Sequence, residues 1–201
     1  MDKRKNKMGQ ITRDSLMTLE AYAKARPALR AQTIEHKKNR RVQLGDHVAL
    51  MFEDELTLRY QIQEMLRVEK TFLEEAIQDE LNAYTPLVPD GTNWKATMLI
   101  EYPDVDERRV MLAQLKGVED KVYVQVADHA RVYAVADEDM ERENEEKTSS
   151  VHFLRFDLQP EMVATLKIGA SLAMGVDHSA YTTRIDVVSE ANRASLIKDL
   201  I

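Results

Sequence analysis

The sequence predicts an α+β protein: a helical N-terminal half packed on a mainly antiparallel sheet, with short connecting helices. Three observations carry this. From Leu58 to Tyr84 apolar residues recur with a helical period, through Leu58, Ile62, Met65, Phe72 and Ala76, and no Gly or Pro interrupts them until Pro86. TPLVPDG, residues 85–91, is a hinge marked by two prolines and an Asp-Gly pair. Beyond it the pattern turns to alternation, with Trp94, Ala96, Met98, Ile100 and Tyr102 on one face and Lys95, Thr97, Leu99 and Glu101 on the other. The 201 residues therefore divide into a disordered tail (1–10), a mainly helical lobe (11–90) and a sheet-rich α+β lobe (91–201), together one compact unit.

In chain order, the polar, basic stretch Met1–Gln10 lacks the apolar core of a secretion signal, and Met8 is as good a start as Met1. Thr12 or Asp14 can cap a helix carrying Leu16, Leu19, Tyr22 and Ala23. Pro27 is expected to end it and to open a second helix that runs into His36-Lys37-Lys38-Asn39-Arg40-Arg41. Val42–Phe52 reads as one or two short strands around Gly45-Asp46, and the long helical pattern that follows should break once near Thr71. Glu69 falls on its apolar stripe, where a carboxylate needs a cation, a proton, a metal or the edge of the buried strip.

After the first strand of the second lobe, Asp104–Lys116 is helical with Gly117 as its stop. Val122–Ala127 and Arg131–Ala136 read as a hairpin, and Ser150–Leu158 as a strand. Pro160 opens a short helix that Gly169 closes. Ser171–Val176 and Tyr181–Val188 read as a second hairpin, and Ser189 caps a terminal amphipathic helix.

With no cysteine, disulfides, a thiol nucleophile and a self-held iron–sulfur cluster are excluded, so any metal would be iron, zinc or manganese held by His and carboxylates. No apolar run approaches the roughly 20 residues of a membrane span. A cytoplasmic protein is the expectation, and a net charge of −7 argues against general nucleic-acid binding. There is no glycine-rich phosphate loop, no Gly-x-Ser-x-Gly and no metalloprotease helix motif.

Several groups of residues could carry chemistry. Three histidines follow an aspartate, at Asp46-His47, Asp128-His129 and Asp177-His178; they read as turn chemistry or as a metal site gathered from several turns. His152 shares a strand face with Leu154, Phe156 and Leu158, where an imidazole is a hydrogen-bonded core residue or a ligand. Just before it, Lys147, Ser149 and Ser150 could present an ammonium and hydroxyls to an anion, or simply lead into the strand. The acidic run at 137–147 reads as a solvated segment or a docking surface for a basic partner. The basic cluster at 36–41 reads as a solvated helix end or as an anion or RNA contact.

HKKNRRVQLG with FEDELTLRYQIQEMLR, then AYTPLVPDGTNWKATMLIEY, ADEDMERENEEKTSSVHFLRF and the GVDH turn together resemble the uncharacterised bacterial family "domain of unknown function 3501" from about Ile11 onward. The matching positions are strongly polar: His36, Lys37, Arg40, Arg41, Tyr60, Gln61, Gln63, Glu64, Arg67, Glu101, Lys147, Ser149, Ser150, His152 and Arg155. The family brings no established activity. Its setting implies a peroxide or redox-stress system, with rubrerythrin-type diiron proteins and iron–sulfur proteins as partners. Two readings follow: an accessory or interaction protein serving such a partner, and a small non-haem metal enzyme using His36, His47, Glu64, Glu101 and His152. Glu101 and Glu64 are the expected carboxylate partners of His152.

Overall fold

In the computed structural model of the chain, residues 11–138, 142, 144 and 146–201 are described. The tail at 1–10 and the middle of the acidic run (139–141, 143 and 145) lie outside them. A short 3-10 turn at Arg13–Ser15 leads into helix α1 (Leu19–Lys38), followed by strands β1 (Arg41–Leu44) and β2 (Val48–Glu53). Helices α2 (Glu55–Glu69) and α3 (Glu74–Tyr84) come next, then β3 (Asn93–Ile100), α4 (Val105–Gln114), β4 (Val122–Val126), β5 (Val132–Tyr133) and β6 (Val135–Ala136). The rest is β7 (Val151–Asp157), α5 (Pro160–Lys167), β8 (Leu172–His178), β9 (Tyr181–Ile185) and α6 (Glu190–Ile197). The α+β expectation holds. Two antiparallel sheets, ordered β1-β2-β3-β7-β6 and β5-β4-β8-β9, share one core. β1 and β2 pair with each other and β2 with β3, so the first sheet draws strands from both sides of residue 90.

Alternation decides which side chains meet in that core. Trp94, Ala96, Met98 and Ile100 of β3 point inward with Leu50 and Phe52 of β2 and Leu154 and Phe156 of β7. The second sheet contributes Val122, Val124, Leu172 and Met174, and α4, α5 and α6 close the ends with Leu115, Leu166 and Leu196. Tyr181 stitches the sheets together: its hydroxyl donates to the Leu44 carbonyl (2.6 Å) and accepts from the His47 amide (3.1 Å). Gly45 stands where this contact leaves no room. It has φ +67°, and a Cβ there would lie 2.5 Å from the Tyr181 hydroxyl oxygen.

A smaller core belongs to the helices alone. Leu58, Ile62 and Leu66 of α2 pack with Ile77 and Leu81 of α3 and with Ile11 and Leu16. Asp54 caps α2 through the Thr57 amide (3.0 Å), and Lys70 ends it in the left-handed region at φ 52°. The expected break near Thr71 is therefore present, but it turns the chain so that Phe72 and Leu73 are 74% and 75% exposed rather than continuing the buried stripe. Glu69, expected on that stripe, lies exposed at the helix end.

Pro27 does not divide α1. It sits on the exposed side of the helix, as does Ala23 one turn earlier, so the N–H that proline lacks is missing from the solvent-facing side. The N-cap is Thr18, not Thr12 or Asp14. The second strand of the predicted first hairpin also differs. Val132 and Tyr133 pair with β4, whereas Val135 and Ala136 pair with β7 in the other sheet. The chain changes sheets at Ala134, whose amide still bonds the Val122 carbonyl.

Arg40 joins α1, β2 and α6. It is 1% exposed, and its guanidinium donates to the carbonyls of Phe52 (2.9 Å) and Glu53 (3.0 Å) and to Asp199 (2.5 Å). Asp54 lies 3.3 Å away on the same cation. The two carboxylates respond in opposite directions. Burial pushes Asp199 up despite Arg40; burial also acts on Asp54, but Arg40, the Thr57 amide and His36 outweigh it and hold that carboxyl low.

Candidate functional site

His152 sits on β7 opposite Met98, fully buried on the inward face with Leu154 and Phe156. Nδ1 lies 2.5 Å from Asp137 Oδ2. The other Asp137 oxygen accepts the Phe153 amide (2.8 Å) and faces Arg142 Nε (3.2 Å), whose guanidinium stacks on the Phe153 ring. Asp137 is set by the chain: just after β6 it takes φ 48°, and its amide donates to the Phe153 carbonyl. On the far side of the ring, Nε2 lies 3.0 Å from Thr148 Oγ1, 3.0 Å from the Ser149 carbonyl oxygen and 3.9 Å from Glu119 Oε2. Thr148, 1% exposed, is pinned by its amide to the Leu112 carbonyl of α4, and Glu119 comes from the 3-10 turn before β4. Glu119, Asp137 and His152 form a group of side chains close enough to hold one metal ion. His152 and Thr148 are buried, while the Glu119 and Asp137 side chains keep about a tenth of their surface exposed.

The sequence singled out His152 and misassigned its partners. Glu101 pairs with Arg41 (2.7 Å), and Glu64 is held by Arg26 (2.7 Å), Arg67 and the Tyr22 hydroxyl (2.7 Å). His36 lies 2.5 Å from Asp54. His47 stacks on Tyr102 with ring centres 4.0 Å apart, its Nδ1 on the Glu101 carbonyl. The five residues thus face different partners, and only His152 belongs to the Glu119–Asp137 group. His129 meets Thr165, His178 meets the Lys116 carbonyl and Asp177 meets Arg131, each serving its own turn. Ser149 and Ser150 lead into β7: the Ser149 hydroxyl accepts the Val151 amide and the Ser150 carbonyl accepts the Ile100 amide. Lys147 is exposed beside Arg108 and Arg109 on the wall of a wide hollow along α4. In the basic cluster, Arg40 is buried, Arg41 faces Glu101 and Lys38 faces Glu35.

A second feature lies on the outer face of the five-stranded sheet, where the helical arm stands off from the strands. Two adjoining cavities of about 260 and 320 Å³ share Glu53, Leu87 and Phe153. Lys95, Leu99 and Arg155 add to the sheet side, and Gln61 and Tyr84 to the arm. Burial pushes the Lys95 amine below its ordinary range, against the pull of Glu138, and the bond from Arg155 holds the Glu138 carboxyl low. Glu53 accepts from the hydroxyls of Thr57 (2.6 Å) and Thr97 (2.8 Å). Sequence periodicity marks these strand residues only as the polar side of an alternation.

No helix among the described residues is long and apolar enough to cross a membrane. Comparison with curated proteins finds no match. A solved structure, described as the crystal structure of a novel protein of unknown function from Burkholderia pseudomallei K96243, is similar at 55% identity; the match covers 96% of this chain and 100% of that one, with a TM-score of 0.91. The model of the family "Protein of unknown function (DUF3501)" matches residues 10–200, and the chain belongs to that family.

Proposed function

We propose that this is an accessory binding protein of a bacterial peroxide or redox-stress system, and that the cleft between the helical arm and the sheet receives its redox partner. The redox setting rests on the family resemblance. What supports the binding half is the cleft itself. It is open, lies between two separate cores, has an apolar floor of Leu87, Leu99 and Phe153, and is ringed by Glu53, Lys95, Glu138 and Arg155. Such a surface suits a protein segment that places an apolar side chain among charges of both signs. A nucleic-acid reading gains nothing from residues 36–41, where Arg40 and Arg41 already face carboxylates.

The test is titration with a rubrerythrin-type diiron protein and, separately, with a cysteine-rich iron–sulfur protein, followed by sedimentation. One of them should bind with a Kd of roughly micromolar order or tighter. The double variant Lys95→Glu, Leu99→Asp should weaken that binding at least about tenfold while keeping the circular dichroism of the parent. Absence of binding to either protein, or unaltered binding by a folded variant, would overturn the reading.

A further inference from the structure

We infer that the partner segment entering the cleft presents a carboxylate to the Lys95 amine, beside an apolar side chain that settles on Leu87 and Phe153. The inference rests on the reading of the cleft as a docking site and names the chemistry of what docks there. It starts from the cross-strand row Glu53–Lys95–Arg155. β2, β3 and β7 set these three residues opposite one another in register, close enough for side chains to pair. Among the described residues Lys95 nevertheless pairs with neither neighbour. Both Glu53 oxygens are taken by hydroxyls, one by Thr57 (2.6 Å) and the other by Thr97 (2.8 Å). Arg155 carries the same charge as Lys95 and is itself held by Glu138 (2.8 Å) and Asp157.

The other carboxylates that act on the amine are engaged in the same way. Glu138 and Asp157 both lie on Arg155, and Asp90 accepts from the amide (2.9 Å) and the hydroxyl (2.8 Å) of Thr92. All three pull on Lys95 only from a distance. Among the described residues the amine makes no hydrogen bond and no ion pair. An ammonium has three protons to donate and nothing with which to accept. On the wall of the cavity of about 260 Å³ it is half-buried, and it has lost part of its water with no protein oxygen in return. Burial accordingly holds it below its ordinary range; Glu138, Asp90 and Asp157 oppose that effect and Arg155 adds to it.

An oxygen brought by the partner restores what the amine has lost. A carboxylate suits the place better than a neutral carbonyl. Lys37, Lys95 and Arg155 line the two cavities against Glu53 and Glu138, and both of those carboxylates are already bonded. Pro86, Leu87 and Phe153 share the cavity with the amine, so the group that carries the carboxylate must be apolar.

The experiment follows the full chain, isotope-labelled at its lysines and backbone amides, by nuclear magnetic resonance. Two probes of one shape are titrated in: N-acetyl-L-leucine, which carries a carboxylate, and N-acetyl-L-leucinamide, which does not. The Lys95 signal is assigned by its loss in Lys95→Arg. The acid should bind saturably with a Kd of roughly 1–10 mM, and the amide at least about fivefold more weakly. At saturation the titration midpoint of the Lys95 amine should move up, because an anion in contact favours the charged form. Lys95→Met, which keeps the stem and drops the charge, should bind the acid no better than the amide, whereas Lys95→Arg should retain binding. Those results establish the subsite. No saturable binding, equal affinity for acid and amide, a shift at Lys37 in place of Lys95, or unaltered affinity in folded Lys95→Met each overturns it. An intact redox partner that binds where the acid does not would overturn this inference and leave the docking reading standing. An intact partner that fails to bind where the acid succeeds would overturn the docking reading and, with it, the protein source of the carboxylate.

Discussion

The sheet body and the helical arm both exclude water from their apolar side chains, yet they depend on their surroundings differently. In the body, two sheets and three helices press on one core, and its largest residues, Trp94, Phe52 and Phe156, touch one another across strands distant in sequence. In the arm, α2 and α3 cover a short seam with help from Ile11 and Leu16, and Phe72 and Leu73 stay in water at its corner. Local periodicity is enough to build the arm, whereas long-range pairing is needed to build the body. The difference teaches where cooperativity ends: the arm has few residues that bind it to the sheet, and Arg40, with carboxylates on both sides, is one of the ties.

This contrast can be broken or sharpened by mutation. The largest effect is expected in the body. Trp94→Ala removes a fully buried ring and its 2.9 Å bond to the Leu196 carbonyl, and should cost about 3–5 kcal/mol in urea unfolding, with amide exchange accelerated in both sheets together. Protection surviving in the β4–β8 pair would show that the two sheets unfold separately. Ile62→Ala, at the centre of the arm, should cost about 2–4 kcal/mol, but the acceleration should be confined to α2 and α3. Equal loss of protection in β3 and β7 would merge the two cores into one unit.

The smallest effect concerns the link between α1 and α2. Chiefly through its bond from Arg26, the Glu64 carboxyl is lowered to about 2 from its ordinary 4.5. A depressed carboxyl adds stability that is complete above the ordinary value and lost as pH falls through the folded one. Glu64→Gln should therefore cost about 1–2 kcal/mol at neutral pH, a gap that closes as pH falls from about 4.5 toward 2. Thermal melts of both proteins across that range check it; a gap that persists at pH 2 would assign the loss to packing rather than charge.

What the sequence made legible follows the same division. The helix cap at Ser189, the Gly117 stop and the alternation from Trp94 are local signals, and the structure contains them. The sheet change at Ala134 is not local. Residues 131–136 look like one strand, and only the competing partners β4 and β7 divide it. At the site, His152 was visible because a lone polar residue on an inward strand face needs an explanation. Asp137 was hidden in an acidic run, and only the β6–β7 pairing sets its carboxyl against the ring. Glu64 and Glu101 misled because arginines next to them in space, though distant in sequence, had already claimed them.

The passage of the chain from one sheet to the other at Ala134 also has a mechanical meaning. Two residue pairs hold β5 to β4 and two hold β6 to β7, whereas seven hold β3 to β7. Under tension, or in spontaneous breathing, this double edge is the seam that parts first. Peeling β6 carries Asp137 away from the imidazole and opens a path to His152 while the central strands stay paired. Exposure of the His152 ring is then set by these four pairings at the edge of the body rather than by its global stability.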